Sequence, residues 1–208
     1  MRIHVRQKVA ILVLAVVAVS VTGCMGSAPS RVTPQGIASD AASKAMELYD
    51  ANHDGQLDSA ELDKAPGLKA ALKQVDKNGD GKISADEINA RINDWKESKL
   101  GRMSISCRVL HGGMPLAGAK VVFEPESFLG DQLKSGSGTT DANGTVSIAM
   151  DPSVAGDLPG MSPGFYRVRI TKDGEKIPAT YNTETTLGQE IAQDAAGIVG
   201  GIKFDLKY

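Results

Sequence analysis

Carboxylates and carboxamides recur at every second position of residues 50–61, "DANHDGQLDSAE", with a glycine at the middle. Nearly the same spelling returns 26 residues later in residues 76–87, "DKNGDGKISADE". Acidic side chains crowded this closely repel one another. A hard cation such as Ca²⁺ relieves that repulsion, because it takes six to eight oxygen ligands at roughly 2.3–2.6 Å from carboxylates, carboxamides and backbone carbonyls. The glycine suits a chain that must reverse where a Cβ would collide. The chemistry these residues offer is the caging of an ion.

Both stretches resemble the EF-hand loop and fit D-x-[DN]-x-[DN]-G-x₅-E at every specified position. The resemblance assigns Asp50, Asn52 and Asp54 to positions one, three and five, and Gly55 to the sharp turn at six. Gln56 then offers its carbonyl at seven, Asp58 serves at nine, and Glu61 closes the loop with two oxygens at twelve. Asp76, Asn78, Asp80, Lys82, Ser84 and Glu87 take the same places in the second loop, Lys82 through its carbonyl alone. Two Ca²⁺ ions are implied. Leu57 and Ile83 stand at position eight of each loop, where a pair of hands joins through a short two-stranded bridge. With four acidic ligands against three, the first loop is expected to bind more tightly.

Helices must hold these loops. Ala42, Ala45, Met46 and Tyr49 form an apolar face before the first loop, and Leu68, Ala71, Leu72 and Val75 form one before the second. Ile88, Ile92 and Trp95 follow it at i, i+4, i+7. Pro66–Gly67 cuts short the helix after the first loop, and Met46 is the one methionine of this region. Sensor hands open a Met-rich groove, so a structural or constitutively loaded pair is expected here. Residues 40–100 hold 13 acidic and 9 basic side chains. That excess of negative charge is expected to loosen the region until metal binds.

From residue 101 the text changes to short alternating apolar runs with frequent Gly and Pro. Strands are expected at 104–110, 120–124, 145–150, 166–171 and 201–206, with a weaker signal at 187–191. "DANG" (141–144) suits a hairpin turn. The pattern reads as a β-sandwich. "PLAGAKVVFEPE" (115–126), "SGTTDANGTVSI" (137–148) and "PGFYRVRI" (163–170) resemble the carboxypeptidase regulatory-like, or transthyretin-like, domain. The resemblance implies a non-catalytic β-domain that serves as a spacer or as a surface for an envelope protein or glycan.

The N-terminus reads as an export signal. Arg2, Arg6 and Lys8 precede the apolar run "VAILVLAVVAVSV" (9–21), which is short for a membrane span of roughly 20 residues. A retained anchor helix is the alternative. "VTGC" (21–24) resembles the lipobox of bacterial lipoproteins, which implies cleavage before Cys24, a lipid on its sulfur and a membrane anchor. The second cysteine, Cys107, shares a face with Met103, Ile105 and Val109, which alternate with polar residues, and reads as a small buried strand residue.

A net charge of −2 gives no electrostatic call for nucleic acid. The three histidines, His4, His53 and His111, sit in no nucleophile–base or metal-cluster pattern, so no enzyme is expected. The expected fold is α+β by separate domains: a signal peptide (1–23), a lipidated flexible tether (24–39), an all-α paired EF-hand module (40–100) and an all-β transthyretin-like sandwich (101–208). The expected protein is a calcium binder of the cell envelope. The alternative is a dockerin-like module for calcium-dependent assembly; dockerin loops usually end in Asp, whereas Glu61 and Glu87 close these.

Overall fold

The computed structural model describes residues 36–155 and 160–208. Cys24 and the N-terminal segment lie outside these. The described residues belong to one compact unit, with a helical region followed by an all-β region.

The helical region begins with α1 (Ala41–Tyr49), which buries Ala41, Ala42, Ala45 and Tyr49 on one face. The first loop leads into β1 (Gln56–Leu57) and the single turn of α2 (Ser59–Leu62). Then come α3 (Pro66–Ala70), α4 (Leu72–Val75), β2 (Ile83–Ser84) and α5 (Ala85–Ser98). Both helices that leave a loop start in the same way. Asp58 caps α2 and Ser84 caps α5, and Glu61 and Glu87 three residues later complete a capping box. Each box satisfies two N–H groups that a helix start otherwise leaves unpaired. Lys99, at φ 55°, turns the chain into the left-handed region and ends α5.

The β region comprises β3 (Ile105–His111), β4 (Met114–Pro115), β5 (Lys120–Pro125), β6 (Gly136–Thr139), β7 (Thr145–Met150), a short α6 (Pro152–Ala155), β8 (Gly164–Thr171), β9 (Gly188–Ile191) and β10 (Ile202–Leu206). Every expected strand is present, displaced by at most two residues at either end. The sandwich takes the form of one sheet curled on itself, in the order β10-β3-β7-β6-β5-β8-β9, with β4 paired to β3. Its corner is β7, whose residues Thr145 to Ile148 pair with β3 while Ala149 and Met150 pair with β6. Strands that switch partners along their length are how a sheet turns such a corner. Alternation fills the interior with Ile105, Cys107 and Val109 from β3 and Val146, Ile148 and Met150 from β7.

Alternation fails in β8, where Gly164, Phe165, Tyr166, Val168 and Ile170 are all buried. The start of this strand is covered on both faces. Tyr166 lies near Phe123 of the sheet interior, at 6.3 Å between rings, while Phe165 meets Trp95 of α5 at 4.6 Å. One hydrophobic cluster runs without a break from Ala41 to Leu206. Among the described residues no helix is long and apolar enough to cross a membrane.

Candidate metal centre

The two acidic loops stand side by side. β1 and β2 pair antiparallel, with Leu57 opposite Ile83 and Gln56 opposite Ser84, and both apolar side chains are fully buried. Gly55 and Gly81 reverse the chain at φ 83° and 80°, in the region that L side chains rarely adopt.

Each carboxylate is oriented by the loop's own N–H groups, and the pattern repeats. Asp50 accepts from Asp54 N at 3.2 Å and Gly55 N at 3.0 Å; Asp76 accepts from Gly79 N at 2.6 Å and Gly81 N at 2.9 Å. Asn52 accepts from Asp54 N and Asn78 from Asp80 N, both at 2.8 Å. Asp54 accepts from Gln56 N at 2.9 Å and Asp80 from Lys82 N at 2.8 Å. Asp58 accepts from Ala60 N and Glu61 N at 2.8 and 3.0 Å, while Ser84 Oγ accepts from Glu87 N at 3.3 Å. The closing glutamates are buried. Glu61 Oε1 accepts from Ala51 N at 2.8 Å and Glu87 Oε1 from Lys77 N at 3.1 Å, so each reaches back across its loop to the first ligand's neighbour.

Among the described residues no group of three His, Cys, Asp or Glu side chains forms a ready-made metal cluster. The loop oxygens are spent on backbone N–H groups instead. The donor set nevertheless fits a hard cation: each loop gathers oxygen donors only, four carboxylates in the first and three in the second with a carboxamide in each, around one backbone reversal. Asp50, Asn52, Asp54, Asp58 and Glu61 share the first loop, and Asp76, Asn78, Asp80, Ser84 and Glu87 the second.

Two features were not expected from the spelling. Lys82 brings its side chain to the loops: its Nζ lies 3.3 Å from Asp54 Oδ2, so an ammonium of one loop rests on a candidate ligand of the other. The carboxyl of Asp54 is held below its ordinary range by the Gln56 N–H first and by Lys82 as well. His53, the fourth residue of its loop, adopts φ 59°, while Gly79 at the matching place has φ 77°. The first loop bends a bulky residue into a conformation that glycine takes freely in the second.

The helices around the loops are fixed from the sheet by two buried carboxylates. Glu126, wholly inaccessible, accepts from Gly67 N at 2.8 Å and from Arg167 Nη2 at 2.8 Å, and the Tyr49 hydroxyl donates to it at 3.3 Å. Burial first, and Glu126 next, raise the Tyr49 hydroxyl above its ordinary pKa. Glu190 of β9 accepts from Arg91 Nε at 2.6 Å and Trp95 Nε1 at 2.9 Å, and Arg91 forks onto Asp194 at 2.8 and 2.9 Å. Burial raises the Glu190 carboxyl and Arg91 opposes it. Arg91 lies on the same stripe of α5 as Ile88, Ile92 and Trp95, and a cation on a buried stripe asks for a buried acid. That signal was present in the sequence.

Residues 44–64 and 68–92 match the family model described as EF hand. The match supports the EF-hand reading of the helical region and, with it, calcium binding. A comparison with curated proteins gives no match.

Proposed function

We propose that the protein is a non-catalytic calcium binder of the cell envelope, holding two Ca²⁺ ions in the loops 50–61 and 76–87. Asp50, Asn52, Asp54, Asp58, Glu61 and the Gln56 carbonyl serve the first ion. Asp76, Asn78, Asp80, Ser84, Glu87 and the Lys82 carbonyl serve the second. The ions supply charge neutralisation and cross-linking of each loop. The observation that carries this reading is the repeated orientation of like side chains in two loops joined through Leu57 and Ile83. Lipid on Cys24 anchors the chain to the membrane, and the curled sheet is of the transthyretin-like kind, a spacer or contact surface for an envelope protein or glycan.

Calorimetric titration of the full chain in detergent with calcium tests this. Two sites are expected in the wild type and one in each of Glu61→Gln and Glu87→Gln. The single-site affinities rank the loops: Glu87→Gln, which keeps the loop with four acidic ligands, binds more tightly. No heat at millimolar calcium would refute the reading.

A further inference from the structure

The apolar faces of an EF-hand pair are the surfaces on which such pairs take partners. Here the chain's own β region occupies them, through β8 and the turn that follows β5. Trp95 lies on Phe165 with ring centroids 4.6 Å apart, and Tyr49 meets Phe128 edge-on at 6.2 Å. The approach is close enough to exclude side-chain atoms. A Cβ on Gly188 would lie 1.8 Å from the Pro66 carbonyl oxygen, and one on Gly67 would lie 2.7 Å from Tyr166 N. The Pro66–Gly67 break is therefore the point at which α3 lies down on β8 and β9.

The buried polar contacts fall next to the candidate ligands. Tyr49, bonded to Glu126, is the residue before Asp50. Arg91, bonded to Glu190, stands one turn after Glu87 on α5. In the register of β8 with β9, Phe165 is opposite Glu190 and Arg167 opposite Gly188. Aromatic contact, glycine gap and carboxylates thus share the sheet face turned to the helices. Glu190 Oε2 has no hydrogen-bond partner among the described residues, so Glu190→Gln keeps the acceptor for Arg91 and Trp95 and removes chiefly the charge.

We propose that the sheet is the resident partner of the EF-hand pair, and that Glu126 and Glu190 are positioning residues for the calcium loops. Docking of the sheet and binding of the ions form one linked equilibrium. This rests on the calcium reading above. Linkage is reciprocal: whatever factor docking adds to calcium affinity, calcium adds to docking.

The test joins two measurements. Amide hydrogen exchange on the wild-type full chain, with calcium and with chelator, reads the sheet directly and needs no variant. Calcium is expected to slow exchange in Gly164–Thr171 and Gly188–Ile191 as well as in the loops. Titration of Glu126→Gln and Glu190→Gln is expected to give calcium affinities about 5- to 50-fold weaker. Lys207→Gln, which removes the exposed pair with Asp205 on β10, leaves affinity unchanged. Binding by the wild type with protection confined to the loops overturns this proposal and leaves the calcium reading standing. So does unaltered affinity in both Glu→Gln variants. A wild type that binds no calcium overturns both readings together.

Discussion

Gly188→Ala isolates the contact between helices and sheet. The backbone at Gly188 is not in the left-handed region, so alanine adds one carbon and no conformational strain. That carbon would meet the Pro66 carbonyl oxygen at 1.8 Å, the Pro66 carbonyl carbon at 2.1 Å and Gly67 N at 2.6 Å. All three are backbone atoms, so no rotamer change relieves the clash. Ordinary contact begins near 3.4 Å, and α3 must retreat from β9 by about 1.5 Å. Overpacking of this kind costs about 1–3 kcal/mol. The same retreat pulls Gly67 N away from buried Glu126, and a buried acceptor losing its donor costs a further 1–3 kcal/mol or so. The two share one displacement and do not add fully, so the expected total is about 3 kcal/mol. For a chain of this size that lowers Tm by about 6–12 °C. The assay is thermal unfolding by circular dichroism in saturating calcium, with Gly200→Ala as control because nothing lies within 4 Å of its added Cβ. A Gly188→Ala melt within about 2 °C of wild type would refute the tight docking of α3 on β9.

Three further outcomes are expected. Arg91 holds the Asp194 carboxyl below its ordinary range, so the pairing stabilises fully above about pH 4 and is lost as pH falls through the lowered folded value. Buried Glu190 acts in the opposite sense, since its raised pKa makes ionisation a cost that acid removes. The Tm gap between wild type and Asp194→Asn should therefore be widest near neutrality and close in acid, as pH-dependent melting reads. Cys107 is buried, and burial pushes its thiol up to about 12, so a thiol reagent should leave it unmodified in the native chain and label it in denaturant. His53→Gly should raise Tm by a few degrees at most, because relief of the positive φ, about 1–2 kcal/mol, is partly offset by the added freedom of glycine in the unfolded chain.

Local spelling and long-range contact divide what the sequence reveals. The loops are legible because their oxygens, glycine and capping boxes lie within a dozen residues of one another. The faces of α1 and α5, and strands such as β7, are legible because 3.6- and 2-residue periods sort buried from exposed side chains. β6 was not expected: "GSGT" shows no apolar alternation. Its glycines are there because a Cβ on Gly136 would lie 2.1 Å from Met161 Sδ, and one on Gly138 would lie 2.4 Å from Ser147 O. Met161 is distant in the chain, and Ser147 becomes a neighbour only once β6 and β7 pair. Pro66–Gly67 shows the same limit. In the sequence it reads as the end of a helix, and only the approach of Tyr166 and Gly188 explains why the residue must be small. Glu126 and Glu190 carry no motif at all. Their partners in the helical region, Tyr49, Gly67, Arg91 and Trp95, lie 59 to 99 residues away.

Docking decides what calcium can do to this molecule. To open the helical faces as a sensor does, the chain would have to part Trp95 from Phe165, take Gly67 N and Tyr49 from Glu126, and take Arg91 and Trp95 from Glu190. Breaking a buried ionic pair by removing its partner costs about 3–5 kcal/mol, and the Arg91–Glu190 pair holds one face shut; on the other, Glu126 keeps Arg167 of β8 and loses the neutral donors Gly67 N and Tyr49, at about 1–3 kcal/mol more. The two proposed sites, each at a hundredfold excess of ion over Kd, would supply about 5 kcal/mol together. Uncovering the aromatic contact raises the demand further. The energy of two ions is too small to drive the sheet off, and it is large enough to add materially to the stability of a closed chain, which is typically about 5–15 kcal/mol. In the linkage proposed above, calcium acts on the hold between helices and sheet.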